Sequence, residues 1–592
     1  MKEAGTLASL RHEQREGVVI LTVTEPAGGL TADLLNALKE QLDQAARRAD
    51  VTGVVLVLRG GHGVSPKIAA VLSDACLRVE SLNKPVIAAL EGTVGGALWA
   101  LALAAHFRFA ASDTQIFMPE ARMGYLPGGG ITQRLPRLTG AANAIKLMLS
   151  TRPEVVAELL ALGAVDRIFE TDPVAEAVAA IQAGLAPRPT CRQTKGMRDG
   201  TAYLTEVQAF KDRVSGDPLD VTRTVVKVVE AALLLPFAQG LAFEAVTLED
   251  LAAAPETRAV AHANQVDRVV RERLRALAVH VKGSGAQVVR RFGLWCPGPE
   301  RAELVVAGLT RGLSVVIADP DREAQVALRK RVSELQEFLV AQKSLSPEAR
   351  DADWARLSYA EGPEGLHDCD LILLAQPDFP REDKALPLIA LGHDPTDPDP
   401  LPALMPALYA KGHAEISLPA TYLRRAVAQS MDLASKLGWR LQRVGPRGFI
   451  AHRLRKTARG LPIRMIEAGF SSGDIAQGMA AAGLGTLPAG KRAEPTGAAY
   501  DISHLVMAAM ANEAARILGE GIGLSSAEVD AAATASGLMP RWKGGPLYQA
   551  DLRGLILLRA DLQRLAGDEP ADIAPLIEQL IHEGRRFFNS GP

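Results

Sequence analysis

At 592 residues the chain is too long for one hydrophobic core and of a length for roughly four domains. Lys and Arg number 66 against 68 Asp and Glu, with no long basic block, which argues against electrostatic capture by nucleic acid or an anionic membrane. The four cysteines, Cys76, Cys191, Cys296 and Cys369, show no CxxC spacing, so neither a disulfide framework nor a metal site is expected.

The N-terminal stretch MKEAGTLASLRHEQREG is charged throughout and has no apolar signal core. GVVILTV, TADLLNALKEQLDQAARRA, VTGVVLVLRG and KPVIAAL then alternate strand and helix patterns, which predicts an α/β layer with right-handed crossovers. From about Glu176 the periodicity turns helical, with amphipathic packing and linker helices through Val281. RRFGLWCPGPERAELVVAGLTRGLSVVIADPD opens a second α/β unit, and DCDLILLAQPD adds a strand to it. GHDPTDPDPLPALMP reads as a loop, because each proline removes a donor and fixes φ. Beyond WRLQRVGPRGFIAHRL the pattern is helical to the end, punctuated at MPRWKGGPLYQADLRG, where Trp542 reads as a packing anchor. The most apolar runs, GALWALALAAHF and AALLLPFA, are too short to span a bilayer. These features give the expectation of a soluble cytoplasmic protein.

One segment carries the chemistry. Gly95 and Gly96 open an apolar helix, a single acid follows at Glu120, and a glycine run follows at Gly128, Gly129 and Gly130. Backbone amides at a helix start suit a developing oxyanion in a dry pocket. The whole stretch KPVIAALEGTVGGALWALALAAHFRFAASDTQIFMPEARMGYLPGGGITQRLPRLTG resembles the crotonase, or enoyl-CoA hydratase/isomerase, superfamily. That resemblance implies a ββα spiral that binds acyl-CoA and polarises the thioester carbonyl with backbone N–H groups. One such donor falls in the run Gly96, Ala97, Leu98, at Ala97; Gly128 and Gly129 fall in the CoA-side glycine turn. An N–H survives the change from glycine to alanine if Ala97 can take the required backbone angles. The family's second donor lies in a turn that here reads GGHGVSPKIAAV; Gly63, Val64 and Ala69 are the candidates, and the sequence leaves the choice open. His62, in the same loop, reads as a solvated side chain.

The family's hydratases use two glutamates. The second aligns with Glu120 and the first with Ala100, which cannot move a proton. Hydration needs a partner to activate water, whereas one carboxylate suffices to take a proton from C2 of a 3-enoyl thioester and return it at C4. The resemblance therefore implies Δ3,Δ2-enoyl-CoA isomerisation by Glu120, with no cofactor beyond the acyl-CoA substrate. The plainer reading of Glu120 is a carboxylate capping the turn ARMGYLPGG.

The remainder resembles a 3-hydroxyacyl-CoA dehydrogenase, on LASKLGWRLQRVGPRGFIAHRL and GLSSAEVDAAATASGLMPRWKGGPLYQADLRGL. Crotonase first and dehydrogenase second is the organisation of multifunctional β-oxidation enzymes. A dinucleotide turn needs G-x-G-x-x-G, but this chain offers Cys296, Pro297, Gly298, Pro299, Glu300 and Arg301. Asp319, ending SVVIAD, is the candidate ribose acceptor. The family's His–Glu dyad aligns with Ala403 and Glu415, with His413 nearby; its substrate-contacting asparagine is His452, and its NTS motif is replaced by LGHDPTD. NAD-linked dehydrogenation is therefore not expected.

The resemblance divides the chain into a crotonase-like domain at 1–185, a helical extension with linker helix at 186–287, a Rossmann-like domain at 288–444 and a tandem helical region at 445–592. The implied partners are acyl-CoA thioesters and a thiolase or other β-oxidation subunit. Two alternatives stand beside isomerisation: hydratase and dehydrogenase chemistry with unusual residues on a special acyl-CoA, and a catalytically silent acyl-CoA-binding scaffold.

Overall fold

The structure is a computed structural model that describes residues 9–588 apart from 27–28, 62–65, 151, 171, 216–218, 382, 384, 393–399, 407–411, 447, 486–496 and 568. Its described residues fall into two compact units, one running to Ala261 and one beginning at His262. Each rests on an eight-stranded sheet flanked by helices, the α/β class expected from the sequence.

In the first unit β1 (Leu10–Arg15) pairs antiparallel with β2 (Val18–Thr24). Helix α1 (Ala32–Arg47) starts where the Thr31 hydroxyl accepts the Leu34 N–H, and it buries the stripe Leu34, Leu35, Leu38 and Leu42. Strand β3 (Gly53–Gly60), helix α2 (Ala69–Glu80) and strand β4 (Val86–Gly95) follow, with β2, β3 and β4 parallel. Their unbroken apolar runs suit parallel strands covered on both faces. Leu56 and Leu58 share a core with Leu34 and Leu72, whereas Val55 and Val57 belong to a second core with Val174, Val178 and Ile181.

Strand β4 changes direction. Its Ile87–Leu90 portion pairs with β5 (Phe107–Ala111). The chain then turns at Gly92, where φ is +64°, and Thr93–Gly95 pair with β6 (Gln115–Phe117). The end of β4 feeds α3 (Gly96–Ala104), in which all nine residues are buried and none is charged. A helix apolar all round belongs inside a core. Helix α4 (Ile131–Thr139) follows the glycine run, and strands β7 (Glu154–Val155) and β8 (Arg167–Phe169) complete the sheet against β6 and β5. Two later helices close over this layer, α5 (Pro173–Gln182) and α6 (Phe237–Ala253).

The second unit places β9 (Arg291–Trp295) centrally, with β10 (Ser314–Ala318) and β11 (Leu357–Ala360) on one side. On the other side lie β12 (Leu371–Leu374), β13 (Leu388–Leu391), β14 (Ala403–Pro406), β15 (His413–Ser417) and β16 (Arg440–Val444). The first six run parallel, and their order, with the third strand at the edge and the first in the middle, is that of a doubly wound nucleotide-binding sheet. β15 then enters antiparallel to β14. After β16 the chain is helical: Phe449, Ile450 and Leu454 of the segment leading into the 18-residue helix Ile450–Glu467 join a core with Leu505, Met510 and Val529. Among the described residues no helix is long and apolar enough to cross a membrane.

Candidate functional site

Four backbone segments of the first unit converge where α3 begins. Gly61, just past β3, lies so close to Gly95 that a Cβ on it would sit 2.4 Å from the Gly95 nitrogen. Gly95 in turn is in register with Phe117 of β6, and a Cβ there would lie 2.3 Å from the Phe117 oxygen. Glycine at 61 and 95 is thus a packing requirement. Glu120 follows three residues after Phe117 and so leaves the strand end that pairs with the start of α3.

The first N–H groups of α3 have no partner within the helix, and no side chain caps it. Gly96 takes φ +53°, a left-handed angle at which a side chain would be strained. Ala97, beside it, has no such angle, so alanine there carries no left-handed strain.

Glu120 is 1 % exposed, with both carboxylate oxygens shielded from solvent. It occupies the cap position of the turn Ala121–Met123, yet its side chain makes no capping hydrogen bond; the turn is held instead by the Glu120 carbonyl, which accepts the N–H groups of Met123 and Tyr125. Half-burial raises the pKa of the neighbouring Tyr125 phenol.

Ala100 points at the glycine turn: a Cβ built on Gly129, where φ is +68°, would lie 2.8 Å from the Ala100 methyl and 2.9 Å from Leu72 Cδ2. The position that aligns with the hydratases' first glutamate is therefore filled by packed apolar atoms.

Two charged residues that the sequence reading left without a role hold this turn. Glu244, on α6, accepts the Gly130 N–H at 2.7 Å, the Thr132 N–H at 3.2 Å and the Thr132 hydroxyl at 2.5 Å. Burial raises its pKa, against the lowering effect of those donors. Arg134, fully buried on α4, donates to the Gly129 carbonyl at 2.8 Å and forms a 2.8 Å ion pair with Glu80, whose other oxygen accepts the Cys191 N–H at 2.6 Å. Arg134 sat in the quoted motif; Glu244 lay in an ordinary amphipathic run with nothing to mark it.

His62, Gly63 and Val64 lie outside the described residues, as does most of LGHDPTD. Ala69 is the first residue of α2, where helix N–H groups again lack internal partners.

In the second unit the turn after β9 passes through Cys296 (φ +46°) and Gly298 (φ +57°) into the short helix Pro299–Arg301, before α7 (Ala302–Leu309). Glu300 folds back over this turn: a Cβ on Gly298 would meet its carboxylate oxygens at 2.5 and 2.8 Å. Pro299 adds no N–H. These residues do not fit a dinucleotide pyrophosphate, because an anion already lies against the turn that would cradle it. Asp319 is buried and accepts the Asp321 N–H at 2.9 Å; with burial and Asp378 it pushes the Cys296 thiol up to about 12.

Ala403 is opposite Ser417, and Glu415 is opposite Met405, so Ala403 and Glu415 are not direct neighbours across the ladder. Glu415 accepts the Ala451 N–H at 3.0 Å, at the start of α8 (Ile450–Glu467). His452, next along α8, is exposed. His413 approaches Glu415 at 3.7 Å.

Comparison with known proteins bears on the first unit most directly. Residues 59–214 match the family model described as enoyl-CoA hydratase/isomerase. The glyoxysomal fatty acid beta-oxidation multifunctional protein MFP-a of Cucumis sativus is 34% identical over 172 residues, 26% of this chain and 24% of that protein. The peroxisomal bifunctional enzyme of Homo sapiens is 26% identical over 328 residues, 53% of this chain and 45% of that enzyme. The chain thus spans less than half the length of either relative. Among solved structures, an enoyl-CoA hydratase from Mycobacterium avium subsp. paratuberculosis K-10 aligns over 44% of this chain and 96% of its own, at 21% identity and a TM-score of 0.31. The N-terminal part of this chain carries an enoyl-CoA hydratase/isomerase domain, and up to about half of the chain is similar to bifunctional and multifunctional proteins, one of them named for fatty acid beta-oxidation.

Proposed function

We propose that the first unit binds an acyl-CoA thioester and isomerises a 3-enoyl to a 2-enoyl chain, with Glu120 as its one acid–base group. The C2–H bond breaks as the Glu120 carboxylate takes the proton, and the electron pair enters the dienolate. The amide at Ala97, with a second donor among Gly63, Val64 and Ala69, stabilises the enolate oxygen. The same proton returns at C4, leaving the double bond between C2 and C3. The observation that carries this reading is the pairing of a buried, non-capping Glu120 with Ala100 packed against Gly129 and Leu72. Water addition would need a second acid or base, and the aligned position holds a methyl group.

The test is turnover of 3-enoyl-CoA and hydration of 2-enoyl-CoA by the full chain and by Glu120→Gln. Isomerisation is expected in the parent and a loss of about 10²–10⁴-fold in the variant, the usual share of a positioned acid–base group. Equal rates in the two proteins, or fast hydration of 2-enoyl-CoA, would overturn the mechanism. Binding of enoyl-CoA without conversion would select the silent scaffold instead.

The proposal includes no hydride transfer by the second unit. Glu300 folded over Gly298 supports this, and titration with NADH checks it: micromolar binding together with oxidation of a 3-hydroxyacyl-CoA would refute it. It also keeps the fourfold division of the chain, a cytoplasmic setting, and passage of product to a thiolase or another β-oxidation subunit; fractionation and co-purification read out the last two.

A further inference from the structure

The second unit contains a cavity of about 320 Å³ bordered by the Pro299–Arg301 turn, β14, β15 and the first turns of α8. Its floor is apolar, made by Met405, Pro406 and Ala451, and its remaining groups are charged or titratable. Arg301 comes from the turn, His413 and Glu415 from β15, and His452, Arg455 and Arg459 from α8; Glu300 stands at the rim with its side chain 64% exposed.

Two of these groups are enclosed without a hydrogen-bond partner. The Arg301 Nε is buried, and the nearest carboxylate oxygen, on Glu300, is 3.9 Å away. Burial also lowers the Arg301 pKa, the direction expected of a guanidinium short of counter-charge. His413 is 2 % exposed, and both its ring nitrogens are shielded with no hydrogen bond. Among the described residues its close anion is Glu415, at 3.7 Å, and that carboxylate is committed to the Ala451 N–H. Buried polar groups are nearly always satisfied, and an exposed alternative is closed to these two. A ligand that accepts from both would complete the site, and a guanidinium fork matches an oxyanion.

We propose that this cavity binds a small amphiphilic anion, an oxyanion head on a body of a few carbons, with the head held by Arg301 and His413 and the body lying on Met405 and Pro406. The volume is at the lower end for ligand pockets and suits a small molecule. This site belongs to the second unit and does not depend on the isomerase reading. The head is a phosphate ester or a carboxylate, and the probes separate them.

Calorimetric titration of the full chain with inorganic phosphate, butyl phosphate and butyrate tests the site. One of the two four-carbon probes is expected to bind at least ten-fold more tightly than inorganic phosphate, which identifies the head. Arg301→Met should weaken that probe at least ten-fold and His413→Gln at least three-fold. No heat from any probe up to about 10 mM, equal affinity for all three, or unchanged affinity in Arg301→Met would each overturn the proposal. Should Arg301→Met fail to fold, Arg301→Lys and ¹⁵N-histidine spectra of the parent replace it. A His413 ring shift on adding the preferred probe, absent in His413→Gln, is the expected result, and no shift refutes it.

Discussion

Glu244 offers a sharp separation between the charge of a buried group and its shape. Its carboxylate satisfies the N–H groups of Gly130 and Thr132 and the Thr132 hydroxyl, all within 3.2 Å and all buried. Glu244→Ala strands those three donors and leaves a void, so about 3–5 kcal/mol of destabilisation is expected from the orphaned buried N–H groups plus the lost side-chain volume, the hydroxyl being free to rotate. Glu244→Gln keeps an acceptor oxygen for the two N–H groups, and its amide can donate to the Thr132 hydroxyl once that group rotates. Because burial already disfavours the ionised form, replacing it by a neutral isostere should cost no more than about 1 kcal/mol. The sign of the pH dependence follows from the raised pKa. The folded state holds the Glu244 proton more tightly than the unfolded chain, so its contribution is most favourable below the ordinary carboxylate range. That contribution falls as pH rises from there through the raised value. The penalty for Glu244→Gln should shrink across the same window. Hydrogen exchange read by mass spectrometry on peptides covering 128–149 measures the local opening free energy without assuming that both units unfold together. A glutamine variant as damaged as the alanine variant would show that the charge holds the turn and would refute this account.

The neighbouring pair gives a second expectation. Arg134→Met leaves the buried Glu80 carboxyl, 4 % exposed, without its cation, at a cost of about 3–5 kcal/mol in urea unfolding, and adding Glu80→Gln to it should recover most of that loss. At the helix start, Gly96→Ala forces a methyl group into φ +53°, worth about 1–2 kcal/mol of strain, and should lower isomerase turnover by displacing the Ala97 amide. Ala97→Gly should leave turnover within about three-fold and cost only about 0.5–1 kcal/mol of backbone entropy. A reversed ranking of those two variants in kcat would place the strained angle elsewhere.

How much of this was legible in the sequence depended on whether the cause was local. The strands VVILTV and VVLVL, the buried helix GALWALALA and the alternation around β9 announced themselves, because β-branching and apolar runs act within a few residues. The glycine positions were legible as a motif, though not their reasons. Gly61 and Gly95 are needed because a Cβ on either would lie within 3 Å of another backbone, and of the two glycines that open α3 only Gly96 takes a left-handed angle. What could not be read was every contact with large sequence separation. Glu244 reaches Gly130 across 114 positions, and Glu80 meets Arg134 across 54. The return of Glu300 onto Gly298 was within two residues and still hidden, because a rotamer, not a pattern, decides it.

The two glycine turns of this chain make the physical point together. In the first unit the turn at Gly128–Gly130 is held from both sides, its amides by Glu244 and its carbonyl by Arg134, so its shape does not depend on a ligand. In the second unit the chain's own carboxylate, on Glu300, lies against the turn at Gly298. A backbone donor persists through substitution of the residue that carries it, as Ala97 does in place of glycine. An acid does not persist, and Ala100 has lost all proton chemistry. Chemistry that leans on amides is therefore the kind that survives such substitutions, and on the proposed mechanism Glu120 is the one proton-transfer group that isomerisation requires. Installing Ala100→Glu alone should then not create a hydratase, because Leu72 and Gly129 occupy the space its carboxylate needs; measurable water addition by that single variant would show the pocket to be more open than the packing around Gly129 allows.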